Sequence, residues 1–262
     1  MFQEERLFAI IKYLKENQRI SVEQICSLLN VSRDTARRDL VKLEEEKSIV
    51  RTRGGAILPS SKHEIKTYST RLKIVSEEKQ IIGKKAASLI YPSDRVILDA
   101  STTVQACAEH MENVDCTVIT NSINQAEILS INSKMNIQLL GGTLQKEHRF
   151  LYGSSVIKRL SQYYADKAFI GIIGISENGL TIAHEEDGFV KRKMMQQAKQ
   201  VFALADHTKL GVTDFFCFAP LSEIDFLITD QTPADEFMEM LRKQNVELII
   251  ADQHEEGEDG NG

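Results

Sequence analysis

Cysteine is scarce: Cys26, Cys107, Cys116 and Cys217 are the whole set, and no two stand in a CxxC pair. None shares zinc-like spacing with a histidine, so neither a disulfide framework nor a structural metal is expected. The four read as free thiols of a protein in a reducing cytoplasm. Proline is scarce too, with four residues, which sets the chain apart from low-complexity or fibrous sequences. No apolar run reaches the roughly 18 residues that a membrane span needs. The opening MFQEERLFAIIKYLKE carries acids early and breaks its apolar residues with charge, unlike a signal peptide. Positive charge is short overall, since 32 Lys+Arg face 38 Asp+Glu, and this argues against a general nucleic-acid binder.

What is present is the composition of a globular protein, 42% hydrophobic and 27% charged over 262 residues. That length suits one large domain or a small one joined to a larger one. The charge is not evenly spread. Residues 1–75 hold 15 Lys+Arg against 10 Asp+Glu, and the remainder holds 17 against 28. A basic head on an acidic body suggests two jobs.

In the head, Leu7, Ile10, Ile11 and Leu14 recur at helical period, predicting a first helix over 3–16. Ser21 and Gln24 form a capping box for a second helix, whose expected buried face is Val22, Ile25, Leu28 and Leu29. After the Asn-Val-Ser turn, Ser32 suits the N-cap of a third helix, and Asp34 falls in its first turn, where the helix dipole favours an anion. At about 100° per residue, Ala36, Leu40 and Leu43 lie on one side. Asp34, Thr35, Arg37, Arg38 and Lys42 point the other way, and Arg33 flanks the buried stripe. SIVRTRGGAIL then reads as a hairpin around Gly54-Gly55 that carries Arg51 and Arg53. A helix, a tight turn, a second helix with outward Arg and Thr, and a basic wing make a winged helix-turn-helix. Its partner would be double-stranded DNA. Arginine pairs bidentately with guanine edges, and hydroxyls reach phosphates. The residues expected at the DNA are Ser21, Ser32, Arg33, Asp34, Thr35, Arg37, Arg38, Lys42, Arg51 and Arg53.

The stretch SVEQICSLLNVSRDTARRDLVKLEEEKSIVRTRGGA resembles the DeoR (deoxyribose-operon repressor) family of bacterial transcription regulators. The family's Thr-Ile-Arg-Arg-Asp-Leu appears here with Ala36 for Ile, and its His-Gly-Gly-Ala with Arg53 for His.

LPSSKHEIKTYSTRLKIVSEEK reads as a linker leading into a helix at about 77–90. Beyond it, short apolar runs at 95–99, 116–120, 136–140, 167–173, 200–205, 224–229 and 246–250 alternate with helical patterns at 103–112, 122–131, 154–164, 186–199 and 232–243. That alternation predicts a mostly parallel, doubly wound α/β sheet. The expected divisions are a head over 1–58, a linker over 59–76, a body over 77–252 and a disordered acidic tail over 253–262.

Ligands of open α/β sheets bind beyond the carboxyl ends of the strands. Those ends read Asp99-Ala100-Ser101-Thr102-Thr103, Thr120-Asn121-Ser122, Gly141-Gly142-Thr143 and Asp206-His207-Thr208-Lys209. Hydroxyls and amides at helix N-termini suit phosphate, glycines let backbone come close, Lys209 adds a cation, and Asp99 and Asp206 can accept from sugar hydroxyls. Arg149, in the stretch after the glycines, is a further phosphate candidate. His184-Glu185-Glu186-Asp187 reads as a solvated loop, and Met194 and Met195 as core.

The body also resembles the DeoR-family sensor domain, whose fold is related to ribose-5-phosphate isomerase and CoA transferases. The matching positions are Asp99, Thr102-Thr103, Thr120-Asn121-Ser122, Gly141-Gly142, Asp206, Thr208, Lys209 and Lys191, with Ser101 in place of a family glycine. The resemblance implies a repressor of a carbohydrate-metabolism operon, controlled by a phosphorylated sugar, acting without catalysis, cofactor or membrane, as a homodimer or homotetramer. The effector residues implied are Asp99, Ser101, Thr102, Thr103, Asn121, Ser122, Gly141, Gly142, Arg149, Lys191, Asp206 and Lys209. The competing reading is a sugar-phosphate isomerase or transferase that uses Asp99, Asp187 and Lys209. A pure scaffold would leave the strand-end pattern unexplained.

Overall fold

The computed structural model describes residues 3–17, 19–45, 48–52, 54–57, 76–112 and 114–251. Arg53, the tail over 253–262 and all of the expected linker except Ser76 lie outside the described residues. The chain forms two compact units, Met1–Ile65 and Lys66–Gly262.

In the first unit, α1 (Gln3–Asn17), α2 (Val22–Leu29) and α3 (Arg33–Glu45) enclose a small core. Leu7, Ile10 and Leu14 meet Val22, Ile25 and Leu29 of α2 and Ala36, Leu40 and Leu43 of α3 there. The capping box forms as expected: Gln24 N donates to Ser21 Oγ at 3.1 Å, and Ser21 N donates to Gln24 Oε1 at 2.8 Å. Asn30 closes α2 in the left-handed conformation, with φ of 51°. Leu28 departs from expectation and is 49% exposed. It lies about 100° round the helix from Leu29, off the stripe that Val22, Ile25 and Leu29 share.

The wing has one more strand than the sequence suggests. Strands β2 (Val50–Thr52) and β3 (Gly55–Ile57) make the expected hairpin, and β1 (Arg19–Ser21) adds to the far side of β3, all antiparallel. Gly55 is required at that junction, because a Cβ there would stand 2.1 Å from Ile20 O. Val22 N donates to Gly54 O at 2.8 Å, tying the wing to the start of α2.

The second unit is built on a seven-stranded, wholly parallel sheet. From one side of its middle run β4 (Arg95–Leu98), β5 (Thr117–Thr120) and β6 (Asn136–Leu139). From the other run β9 (Ala165–Gly171), β12 (Ala198–Leu204), β14 (Phe226–Thr229) and β15 (Glu247–Ile250). Helices α4 (Glu77–Ser88), α5 (Thr102–Glu109) and α6 (Ile123–Leu129) contribute to one apolar layer. Helices α7 (Ser154–Leu160), α8 (Glu185–Gln196) and α9 (Asp235–Lys243) contribute to the other. Phe169, Phe202 and Phe226 stack across three neighbouring strands, with ring centroids 4.9 and 4.5 Å apart. The hairpin of β7 (Thr143–Gln145) and β8 (Phe150–Tyr152) was not anticipated. Nor was the antiparallel sheet of β10 (Gly174–Ser176), β11 (Gly179–Ile182) and β13 (Phe216–Ala219). Among the described residues, no helix is long and apolar enough to cross a membrane.

Candidate nucleic-acid interface and ligand site

Helix α3 has two opposed faces. Ser32 Oγ accepts from Thr35 N at 3.2 Å and caps its start. Arg33, Asp34, Arg37 and Arg38 are exposed, and Thr35 is half-buried. Glu23 stands 3.3 Å from Arg33, with both side chains exposed. Among the described residues nothing pairs with Arg37 or Arg38. The opposite face holds an acid that periodicity could not interpret. Asp39 is fully buried and accepts from Arg6 Nε at 2.7 Å, Arg6 Nη2 at 3.0 Å and Gln3 Nε2 at 3.2 Å. The Asp39 carboxylate raises the Arg6 guanidinium further above its ordinary value. This fork fastens α3 to α1.

Other expected DNA residues are also partly committed elsewhere. Lys42 is half-buried and reaches Gln3 Oε1 of α1 at 3.5 Å. Position 42 follows Asp39 by three and Arg38 by four, so it lies between the two faces, and the contact with Gln3 draws its ammonium toward α1. Ser21 spends its hydroxyl on the capping box. Arg51 is exposed on the wing, 3.4 Å from Glu44.

In the parallel sheet, the order in which strands are added reverses between β4 and β9, the kind of crevice where α/β folds hold ligands. Asp99 ends β4 at this point with 1% exposure. Its Oδ1 accepts from Ser101 N at 2.9 Å, and its Oδ2 from Gly171 N at 2.9 Å and from Lys191 Nζ. Lys191 Nζ also donates to Gly171 O at 3.1 Å. Asp99 thus accepts three hydrogen bonds from the protein and organises the crevice. Ser101 Oγ accepts from Val104 N at 3.2 Å and caps α5. Thr102 and Thr103 follow, both largely buried. Gln125 ties the next strand end to this one: its Nε2 donates to Asp99 O, and its Oε1 accepts from Thr120 Oγ1 at 3.0 Å. Ser122 caps α6, and Asn121 Nδ2 donates to Leu151 O at 3.0 Å.

At the end of β12, Asp206 Oδ1 accepts from Thr208 N at 3.0 Å and from the Thr208 hydroxyl, closing a 3-10 turn over His207–Lys209. The next strand end contributes Asp230, which the sequence reading passed over although it follows an apolar run just as Asp99 does. Its carboxylate accepts from His207 N at 2.7 Å and lies 2.6 Å from His207 Nδ1. That contact, with burial opposing it and Asp206 and Glu78 adding to it, holds the imidazole above its ordinary 6.5. Lys209 is half-buried, with no carboxylate on it among the described residues.

The remaining expected residues, Gly141, Gly142 and Arg149, follow β6 in the chain. Gly141 has open space where a side chain would be, whereas a Cβ at Gly142 would meet Val156 Cγ2 at 2.5 Å. Arg149 lies in the β7–β8 turn with φ of 55°, 3.8 Å from Glu127, both side chains exposed. Its backbone meets Ile123, but its guanidinium points to solvent. Glu185, Glu186 and Asp187 are not in a loop: they form the first turn of α8, where the helix dipole welcomes acids. A separate cleft of about 420 Å³ between α7 and α8 is lined by Ile157, Phe189 and Arg192 among others, and by none of the expected ligand residues.

Residues 6–62 match the model of the DeoR-like helix-turn-helix domain, and residues 74–231 that of the DeoR C terminal sensor domain. The chain is 66% identical to the HTH-type transcriptional repressor GlcR of Bacillus subtilis (strain 168), over 99% of this chain and 100% of that protein. It is 30% identical to the glycerol-3-phosphate regulon repressor of Escherichia coli (strain K12), over 95% and 100% respectively. Among solved structures, ribose 5-phosphate isomerase A from Methanocaldococcus jannaschii aligns with a TM-score of 0.37 at 16% identity, over 50% of this chain and 53% of that one.

Proposed function

The chain belongs to the DeoR family of helix-turn-helix transcriptional regulators, and we propose that it represses a carbohydrate-metabolism operon under the control of a phosphorylated sugar or related metabolite. Residues 1–58 bind operator DNA, 59–76 link, 77–252 sense the effector and join copies into a homodimer or homotetramer, and 253–262 form a tail. The observation that carries the DNA-binding part is α3 itself. Its exposed face offers Arg37 and Arg38 with no partner among the described residues, while Asp39 on the opposite face is locked to α1. A rigid helix with free, outward guanidinium groups suits a major groove. A single helix and wing read only a short site, so paired heads on related half-sites would supply the specificity.

The effector site of this proposal is the crevice between β4 and β9, extended by the ends of β5 and β12. The amides of Thr102 and Thr103 and the hydroxyls of Ser101–Thr103, with Lys209, take the phosphate. A relative named for a glycerol-3-phosphate regulon supports a phosphorylated polyol as the class of effector. The isomerase reading needs a free general base, and Asp99, its first nominee, has its oxygens taken by Ser101, Gly171 and Lys191.

Selection of binding sites from a random duplex pool tests the reading. Wild-type protein should enrich a paired-half-site sequence. The Arg37→Ala/Arg38→Ala variant, folded to the same melting temperature, should bind that sequence at least about tenfold more weakly, given roughly 1–3 kcal/mol for each bidentate guanine contact. Equal enrichment by both proteins would remove α3 from the interface.

A further inference from the structure

Among the described residues, three buried side-chain atoms have no hydrogen-bond partner: Asn121 Oδ1, Asn124 Nδ2 and His184 Nε2. Buried polar atoms are nearly always paired, so three orphans in one unit call for an explanation. Asn121 and Asn124 are 1% and 9% exposed, beyond the easy reach of bulk water.

The fold gathers them on one side of the crevice. Leu151 N donates to Asn121 O at 2.8 Å and Ile123 N to Arg149 O at 3.3 Å, which lays the β7–β8 hairpin along the β5–α6 turn. His148 precedes Arg149 as Ile123 precedes Asn124, and the His148 ring, itself buried, sits 5.1 Å from that of His184 at 56°. His184 is the N-cap residue of α8, yet its side chain makes no capping bond. Seven residues later the same helix carries Lys191, which grips Asp99. Two helical turns put both on one face, about 10 Å apart along the axis.

We propose that Asn121, Asn124 and His184 form the subsite for the hydroxyl end of a phosphorylated polyhydroxy ligand, an inference that rests on the effector-sensing role proposed above. Amide and imidazole groups both donate and accept, as hydroxyls do. Charge sets the polarity. Glu185, Glu186 and Asp187 crowd the first turn of α8 beside His184 and repel a phosphate there. The neutral hydroxyls therefore lie at this end, and the phosphate at the Ser101–Thr103 and Lys209 end. A buried site that hydrogen-bonds a hydroxyl rejects the analogue lacking it, so these residues set which sugar is accepted.

Calorimetric titration of the full chain tests this with ribose 5-phosphate, glucose 6-phosphate, fructose 6-phosphate and glycerol 3-phosphate, followed by deoxy analogues of the tightest binder. Wild-type protein should prefer the parent sugar phosphate at least about tenfold over one of its deoxy analogues. His184→Ala and Asn124→Ala should each weaken the parent and erase most of that preference. His184 lies at a helix terminus, so its variant keeps the test open if Asn124→Ala fails to fold. Undiminished preference in the variants, or no preference in the wild type, would overturn the subsite and leave effector sensing standing. Wild-type protein that binds none of these compounds would overturn both.

Discussion

At Gly171 one added carbon would land 1.9 Å from Ser101 Oγ and 2.3 Å from Ser101 Cβ. The end of β9 thus lies against the β4–α5 turn with no room for a side chain, and Ser101 is the residue that fills the space. Gly171→Ala should destabilise the protein by about 1–3 kcal/mol through overpacking. Ser101→Gly on that background should recover much of the loss in thermal unfolding; a double variant no better than the single would place the strain elsewhere. His207 makes a second case at this scale. Asp230 favours the charged imidazole in the folded state, so the folded value lies above the ordinary 6.5. The resulting stabilisation is complete below the unfolded value and fades as pH rises through the folded one. His207→Gln should therefore lower the melting temperature more near pH 6 than near pH 9, and a loss independent of pH would show that the pair is neutral.

Helix α3 shows how far periodicity reads an element and where it stops. Its core stripe, its Ser32 cap and its outward arginines were all legible, because each follows from spacing along one helix. The Arg6–Asp39 fork was not, since its partners lie 33 residues apart and an Asp beside two Arg reads as surface. Leu28 misled because α2 has eight residues, too few for the stripe to declare its centre. The strands of β7, β8 and β10 are three residues each, too short to show alternation against their turns. His184 was hidden by the three acids after it, which resemble a solvated loop in one dimension and are a helix start in three. Of the ligand site, the strand ends were legible and their connections were not: nothing in the sequence joins Asp99 to Lys191 across 92 residues. The fork also makes a prediction for its element. Arg6→Ala leaves the Asp39 charge buried without its cation, so it should lower the melting temperature and weaken operator binding although Arg6 is not among the residues assigned to DNA. Arg6→Ala/Asp39→Ala should regain stability over the single variant. A double variant as unstable as the single would mean that the pair does not position α3.

Over the whole molecule, charge is divided as the proposed labour is. The 1–75 segment is basic, and the remainder carries 28 Asp+Glu against 17 Lys+Arg. The net charge of −6 is therefore no objection to DNA binding; the acid belongs to the part proposed to sense the metabolite. Control requires that the effector have different affinity for the DNA-competent form and its alternative, and by reciprocity DNA must alter effector affinity by the same factor. Lys209 separates the two roles, since it belongs to the sensing unit and is not needed for the fold of the head. The most direct measurement is fluorescence anisotropy of the selected operator with full-length protein, titrated with the tightest sugar phosphate. Wild-type operator affinity should change about five-fold or more, within the usual range of allosteric coupling. Lys209→Ala should hold the operator as tightly as wild type without effector and respond only at much higher effector concentration. An operator affinity unmoved by any sugar phosphate in the wild type, or moved equally in both proteins, would contradict the strand-end site as the control point.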